Sequence, residues 1–240
     1  MFTHEVMSFE TDMYGYMPPS LLVRLCMYAT ELQSAVEGVG KQWLMDKLGA
    51  VWMLARFRCE QTVPIRGGDV LELESTPRSI HGASYIRRVQ VLRRGEEVAA
   101  CLLVWTMVHF EKRCIVRPAE LEAIWGRDCP PVELPDVRRL RRPEELRECC
   151  RVPARRSDCD VNGHLSSSNY ADILCDAFGF WEGGPRLMRS LQIDFHAEFL
   201  PGSEITLLAG EAEGDTCVVG LHGDGSPGFA ARFCAEEIRA

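Results

Sequence analysis

Residues 12–29, "DMYGYMPPSLLVRLCMYA", and residues 160–177, "DVNGHLSSSNYADILCDA", carry one pattern written twice. Asp, Gly, Ser and Ala coincide at 12/160, 15/163, 20/168 and 29/177, an offset of 148 residues, and most apolar positions agree in kind. Further on, "IRGGDVLELE" (65–74) lies over "FLPGSEITLL" (199–208) at an offset of 134. The second copy is therefore 14 residues shorter between its helix and its next strand. "TCVVGLHGDGSPGFAARFCAEEI" (216–238) then mirrors the last hairpin of the first copy. A repeat of about 100 residues is too long for a solenoid unit and implies two similar domains side by side.

Each unit has the same internal order. Pro18 and Pro19 suit a helix start, helical apolar spacing follows, and Gly38 and Gly40 close it. Strand-like segments come next at 51–65, 69–76, 83–94 and 96–110, with turns at Gly67–Gly68 and Gly95–Glu96. A helix followed by antiparallel-type strands is an α+β pattern. Residues 111–150 change character, with Pro118, Pro130, Pro131, Pro135, Pro143 and dense charge. The division expected is a first domain at 1–118, a linker at 119–147 with a short helix near "PEELREC", and a second domain at 148–240.

The chain of 240 residues is 46% hydrophobic and 26% charged, an ordinary globular composition. A net charge of -8 argues against broad nucleic-acid binding, which needs a basic surface. No apolar run is long enough to span a membrane, and the N-terminus lacks the basic-then-apolar pattern of a secretory signal. Eleven scattered cysteines, an odd count with one adjacent pair at Cys149–Cys150 and no CxxC, point to reduced thiols and a cytoplasmic location. "GDGSPG" (223–228) matches the dinucleotide glycine pattern but joins two strands, so it is expected to be a hairpin turn. There is no G-x-S-x-G nucleophile elbow.

The two copies differ at one informative place. Both keep Asp and Gly of D-x-x-G, but Tyr14 and Tyr16 of the first are replaced by Asn162 and His164 in the second. The stretch "DCDVNGHLSSSN" (158–169) also resembles a calcium loop, with Asp158, Asp160 and Asn162 at positions 1, 3 and 5. Asn169 at position 12 cannot supply the bidentate carboxylate, and Pro153 interrupts the entering helix, so no metal site is expected. An amide and an imidazole just before a helix have another use. Helix N-terminal N–H groups lack partners and favour negative charge, which suits a developing oxyanion. Ser166, Ser167 or Ser168 is placed to cap that helix. Histidine exchanges protons near neutral pH. Asn162 would orient water or a carbonyl, with Asp160 holding one of these side chains. The missing base is Glu198, at a strand end beside Phe195, Phe199 and Leu200, an apolar setting that would raise its pKa toward a useful range. Strict alternation puts Asp194, His196 and Glu198 on one face, so His196 is a rival.

The "D-x-N-x-H…Y" stretch at 160–170 and "I-x-F-x-x-E-x-x-x-G" at 193–202 resemble the acyl-acyl carrier protein (ACP) thioesterases of bacteria and plants. In the first half "VWMLARFRCEQTVPIRGGDVLELEST", "Y-x-R-R" at 85–88 and "VWTMVHFEKRCIVRP" ending at 118 extend the likeness over nearly the whole chain. The resemblance implies two tandem hotdog domains, each a long helix packed on an antiparallel sheet. It implies hydrolysis of fatty acyl-ACP to free fatty acid, with no cofactor. Its catalytic residues fall on Asp160, Asn162, His164 and Glu198. The first domain would hold the acyl chain, with Trp52 and Met53 near the tunnel. Three positions depart from the family pattern. Ser166–Ser167 replace an Asn-Asn pair, Phe199 replaces the cysteine of plant enzymes, and Ile173 replaces a tryptophan. Phe199 excludes a nucleophilic cysteine there.

The implied partner is acidic, so Arg138, Arg139, Arg141 and Arg142 in "DVRRLRRPEELR" (136–147) are candidates for docking it. Two other activities remain open: an acyl-CoA thioesterase of the same fold, and a non-catalytic acyl-binding module. Either a monomer or a homodimer fits, since tandem domains supply internally the pairing that single ones obtain by dimerising.

Overall fold

In the computed structural model, residues 1–117, 119, 121 and 138–238 are described. Pro18 occupies the N-cap position of α1 (Pro19–Val36), whose first turn needs no N–H from Pro19. Leu21, Leu22, Leu25, Cys26 and Ala29 form its buried stripe. Each large side chain so buried contributes about 1.5–3 kcal/mol. Gly38, at φ 77°, ends the helix by donating its N–H to Ala35 O at 3.1 Å. A second helix, α2 (Lys41–Leu48), follows; the sequence reading had no element there. It is short, with only Leu44 buried, so its periodic signal is weak. The helix of the second half, α3 (Asn169–Ala177), has 9 residues against 18 in α1. Beyond its end at Ala177, Gly179, Gly183 and Gly184 take positive φ, which a helix does not continue through. The shorter helix and the lack of an α2 counterpart both fall in the interval where the second copy is 14 residues shorter.

The strands are β1 (Phe2–Glu5), β2 (Ala50–Gln61), β3 (Val70–His81), β4 (Ser84–Arg93), β5 (Glu96–His109), β6 (Ile115–Val116), β7 (Arg147–Pro153), β8 (Arg186–Phe195), β9 (Glu204–Ala212), β10 (Asp215–Leu221) and β11 (Pro227–Glu237). They form one sheet in the order β1-β3-β4-β5-β2-β8-β11-β10-β9-β7, with β6 on β5. The order is a palindrome about the β2–β8 junction, where each strand has its repeat partner opposite. This is the tandem hotdog architecture, α+β in class. Residues 223–228 turn between β10 and β11 as expected. The short helix expected near "PEELREC" (143–149) is absent: 143–146 are irregular and Arg147 begins β7, an edge strand on β9. Its residues matched a helical pattern locally, but β9 offers an unpaired edge, and pairing outweighs propensity.

The junction is polar on its outer face. Arg56 Nε donates to Asp194 Oδ1 at 2.9 Å across the β2–β8 register, and Asp194 is 1% exposed. Gln192 Nε2 donates to the same oxygen at 2.9 Å. On the inner face α1 and α3 meet, with Asp172 bonded to Ser20 and attracted by Arg24. Positions 24 and 172 are equivalent in the two repeats, so the pair sits on the pseudo-twofold axis.

Candidate active site

The two D-x-x-G loops are the same turn, the first with one more bond to its Asp carboxylate. In the first, Asp12 Oδ1 accepts the N–H groups of Tyr14 and Tyr16 at 2.9 Å, and Gly15 takes φ 81°. In the second, Asp160 Oδ1 accepts Asn162 N–H at 2.8 Å, and Gly163 takes φ 80°. Asp160 N–H closes the turn on His164 O at 3.0 Å, as Asp12 N–H does on Tyr16 O at 2.7 Å. Asp160 thus holds backbone, not a neighbouring side chain.

Each loop is then tied to the turn preceding the third strand of its half. Met17 N–H donates to Ile65 O at 2.8 Å, and Leu165 N–H to Phe199 O at 2.8 Å. These bonds obey the sequence offsets of 148 and 134 together, and they bring position 198 beside position 164. In the first half the same places hold Pro64 and Tyr16, and Arg66 lies over the Tyr16 ring at 4.7 Å and donates to its hydroxyl. No proton-transfer pair exists there.

In the second half His164 Nε2 lies 3.6 Å from Glu198 Oε1. His164 Nδ1 is 3.3 Å from Leu165 O, which favours the tautomer with the proton on Nδ1. Phe199 is fully buried beneath Glu198, with its ring stacked on His222 at 4.0 Å. Tyr170 of α3 is buried against Phe195, Phe199 and Phe229. Burial, then the charge of Glu198, pushes its phenol pKa up, so it stays protonated.

Glu198 itself does not have the apolar setting expected. Its side chain is 34% exposed, and the same Oε1 lies 3.9 Å from a guanidinium nitrogen of Arg113, in the turn after β5. Phe199 points inward and Leu200 is exposed, so neither covers the carboxylate. Strand alternation also fails here. β8 ends at Phe195, and the N–H groups of His196 and Ala197 both donate to Gly228 O at 2.9 and 3.0 Å. Asp194 and His196 are left on the outer side near Arg56 and Arg139, while Glu198 turns to His164. His196 has its pKa lowered by burial, with Asp194 opposing.

Asn162 is exposed on the turn. No serine caps α3 through its side chain. Ser166 and Ser168 hydroxyls face each other at 3.3 Å, and Ser168 has helical dihedrals. The N–H groups of Ser167 and Ser168 have no backbone acceptor among the described residues, and Ser168 is buried. On β2, Trp52 packs on the core, whereas Met53, its neighbour, points to the opposite face. Arg138, Arg139, Arg141 and Arg142 are exposed. Their segment is pinned to β8 by Leu140 N–H on Asp194 Oδ2 at 2.8 Å and Gln192 Nε2 on Arg138 O at 2.9 Å. The linker residues 122–137 and Pro118 lie outside the described residues. No group of three or more His, Cys, Asp or Glu among the described residues is arranged to hold a metal ion.

The N-terminal domain model of acyl-ACP thioesterases matches residues 1–123 of the 240. The chain belongs to the acyl-ACP thioesterase family. Its reaction is hydrolysis of the thioester of fatty acyl-ACP. The solved acyl-ACP thioesterase of Bacteroides thetaiotaomicron superposes with a TM-score of 0.86 at 17% identity, covering 98% of this chain and 96% of that one. The 12:0-ACP thioesterase of Umbellularia californica superposes at 0.78 and 17% identity, with coverage of 98% and 96%. These likenesses show the fold. No curated protein matches the sequence. No described helix is long and apolar enough to cross a membrane.

Proposed function

We propose that this acyl-ACP thioesterase works through Glu198, His164, Asn162 and Asp160. The observation that carries the reading is the approach of His164 Nε2 to Glu198 Oε1 at 3.6 Å, two residues 34 positions apart in sequence. Glu198 activates a water, which attacks the thioester carbonyl. N–H groups at the start of α3, flanked by Ser166 and Ser167, stabilise the oxyanion, and Asn162 and His164 orient the carbonyl and the water. Asp160 maintains the turn that presents them. Pantetheine thiolate is a good leaving group, so no strong acid is needed.

The first half, 1–118, holds the acyl chain, with Trp52 on its core-facing wall, and the second, 148–240, carries the chemistry. The linker arginines dock the carrier protein. In support, the pinning of residues 138–140 to β8 sets Arg139 beside His196, two residues before Glu198. The β2–β8 pairing occupies internally the edge that single hotdog domains share, so a monomer in the cytoplasm suffices. The test is release of free fatty acid from purified acyl-ACP and acyl-CoA. Wild type should prefer acyl-ACP, and Glu198→Ala should lose about 10²–10⁴-fold in kcat/KM. Equal turnover of acyl-CoA would favour a coenzyme A enzyme. Full activity in Glu198→Ala would remove Glu198 from the mechanism.

A further inference from the structure

Arg113, from the first half, reaches to 3.9 Å from Glu198 Oε1 in the second. It sits in the turn joining β5 to β6, with φ 51°, a left-handed conformation uncommon for arginine. That turn is built, not loose. Arg113 N–H donates to His109 O at 2.9 Å, His109 N–H to Cys114 O at 2.8 Å, and Lys112 N–H to His109 Nδ1 at 3.2 Å. Phe110 N–H is anchored on Gly49 O at 2.8 Å, which fixes the turn to the start of β2. The guanidinium is aimed across the junction at the other half's carboxylate.

The Glu198 carboxylate lies between two groups: His164 Nε2 is 3.6 Å from Oε1, and Arg113 is 3.9 Å from Oε1. We infer that Arg113 is a positioning residue supplied by the first half: from across the β2–β8 junction it restrains the Glu198 carboxylate beside His164. The inference rests on the reading of Glu198 as the base. The groups facing the carboxylate are His164 from the D-x-N-x-H loop, Arg113 from the β5–β6 turn and the Tyr170 phenol from α3. In the free protein Arg113 is 69% exposed, so the pair is weak in water. A bound acyl-pantetheine arm covers the site and excludes water, and the same pair then acts more strongly.

The arrangement also gives the tandem order a function beyond holding the chain. The base and its histidine lie in the second half, and the cation that restrains the base lies in the first. Neither half contains the whole set.

The experiment measures kcat and KM on acyl-ACP for wild type, Arg113→Gln, Arg113→Lys and Glu198→Gln. The kcat of Arg113→Gln should fall several-fold with KM little changed, and Arg113→Lys should recover most of it. If the kcat of Arg113→Gln equals that of wild type, or only KM changes, the inference is overturned and Arg113 belongs to carrier docking. If Glu198→Gln keeps wild-type kcat, the base assignment itself fails, a result distinct from the first.

Discussion

Gly228 lies behind the site, and adding one methyl group there tests how rigidly Glu198 must be held. A Cβ on Gly228 would come within 2.2 Å of Cε2 and Cζ of Phe199 and 3.0 Å of His222 Nε2. Carbon atoms rest about 3.5–4.0 Å apart, so the ring must retreat by roughly 1.3 Å or more. It has nowhere free to go. Phe199 is fully buried, stacked on His222 and flanked by Tyr170 and Phe229. Overpacking of this kind costs about 1–3 kcal/mol. Activity should suffer more than stability. Phe199 is bonded to Glu198 along the chain, its carbonyl holds Leu165 N–H at 2.8 Å, and Gly228 O receives the N–H groups of His196 and Ala197. Any shift of Phe199 therefore moves Glu198 and the loop together, and for a proposed base a displacement near 1 Å costs about 10²-fold in rate. The assay pairs urea denaturation with kcat/KM on acyl-ACP. Gly223→Ala in the same hairpin is the control, since nothing lies within 4 Å of its Cβ position and its φ is not positive. It should change stability by less than about 0.5 kcal/mol and leave turnover unchanged. Wild-type stability and turnover in Gly228→Ala would refute the reasoning.

The two equivalent turns separate structure from chemistry. Asp160→Ala removes the acceptor of Asn162 N–H and Asp12→Ala that of two N–H groups, so each should cost on the order of 1 kcal/mol in urea denaturation, but only Asp160→Ala should reduce hydrolysis. Asp160→Asn keeps an acceptor oxygen and should retain more activity than Asp160→Ala. Asp172 provides a pH-dependent case at the α1–α3 crossing. Burial raises its pKa, against the pull of Ser20 and Arg24, with Asp176 and Asp158 adding to the rise. The folded state therefore binds that proton more tightly than the unfolded one, and stability from this group is present at low pH and lost as pH rises above the ordinary carboxylate range. Asp172→Asn should be more stable than wild type at pH 7 by thermal melting, and the advantage should vanish near about pH 4. A constant difference across that range would show that the effect is steric.

Sequence by itself determined the repeat, and with it the palindromic sheet. Alternation along 51–61 and 84–93 and helical spacing after Pro18 are local signals, and matched turns such as Asp12/Asp160 and Gly15/Gly163 require nothing from distant residues. The candidates Asn162 and His164 stood out because one repeat unit carries them and the other does not, and Glu198 by its place at a strand end. Tertiary structure decided the rest. The path of residues 147–153 depended on an edge offered by β9, which no local propensity reveals. The outward turn of His196 depended on a bulge whose carbonyl, Gly228 O, lies 32 residues further along. The surroundings of Glu198 depended on a turn of the other half, since Arg113 reaches it only after β2 and β8 pair across the junction. Periodicity reports which face a residue takes within its own element; which atom of a distant element meets that face is set by register and packing, and those exist only in the folded chain.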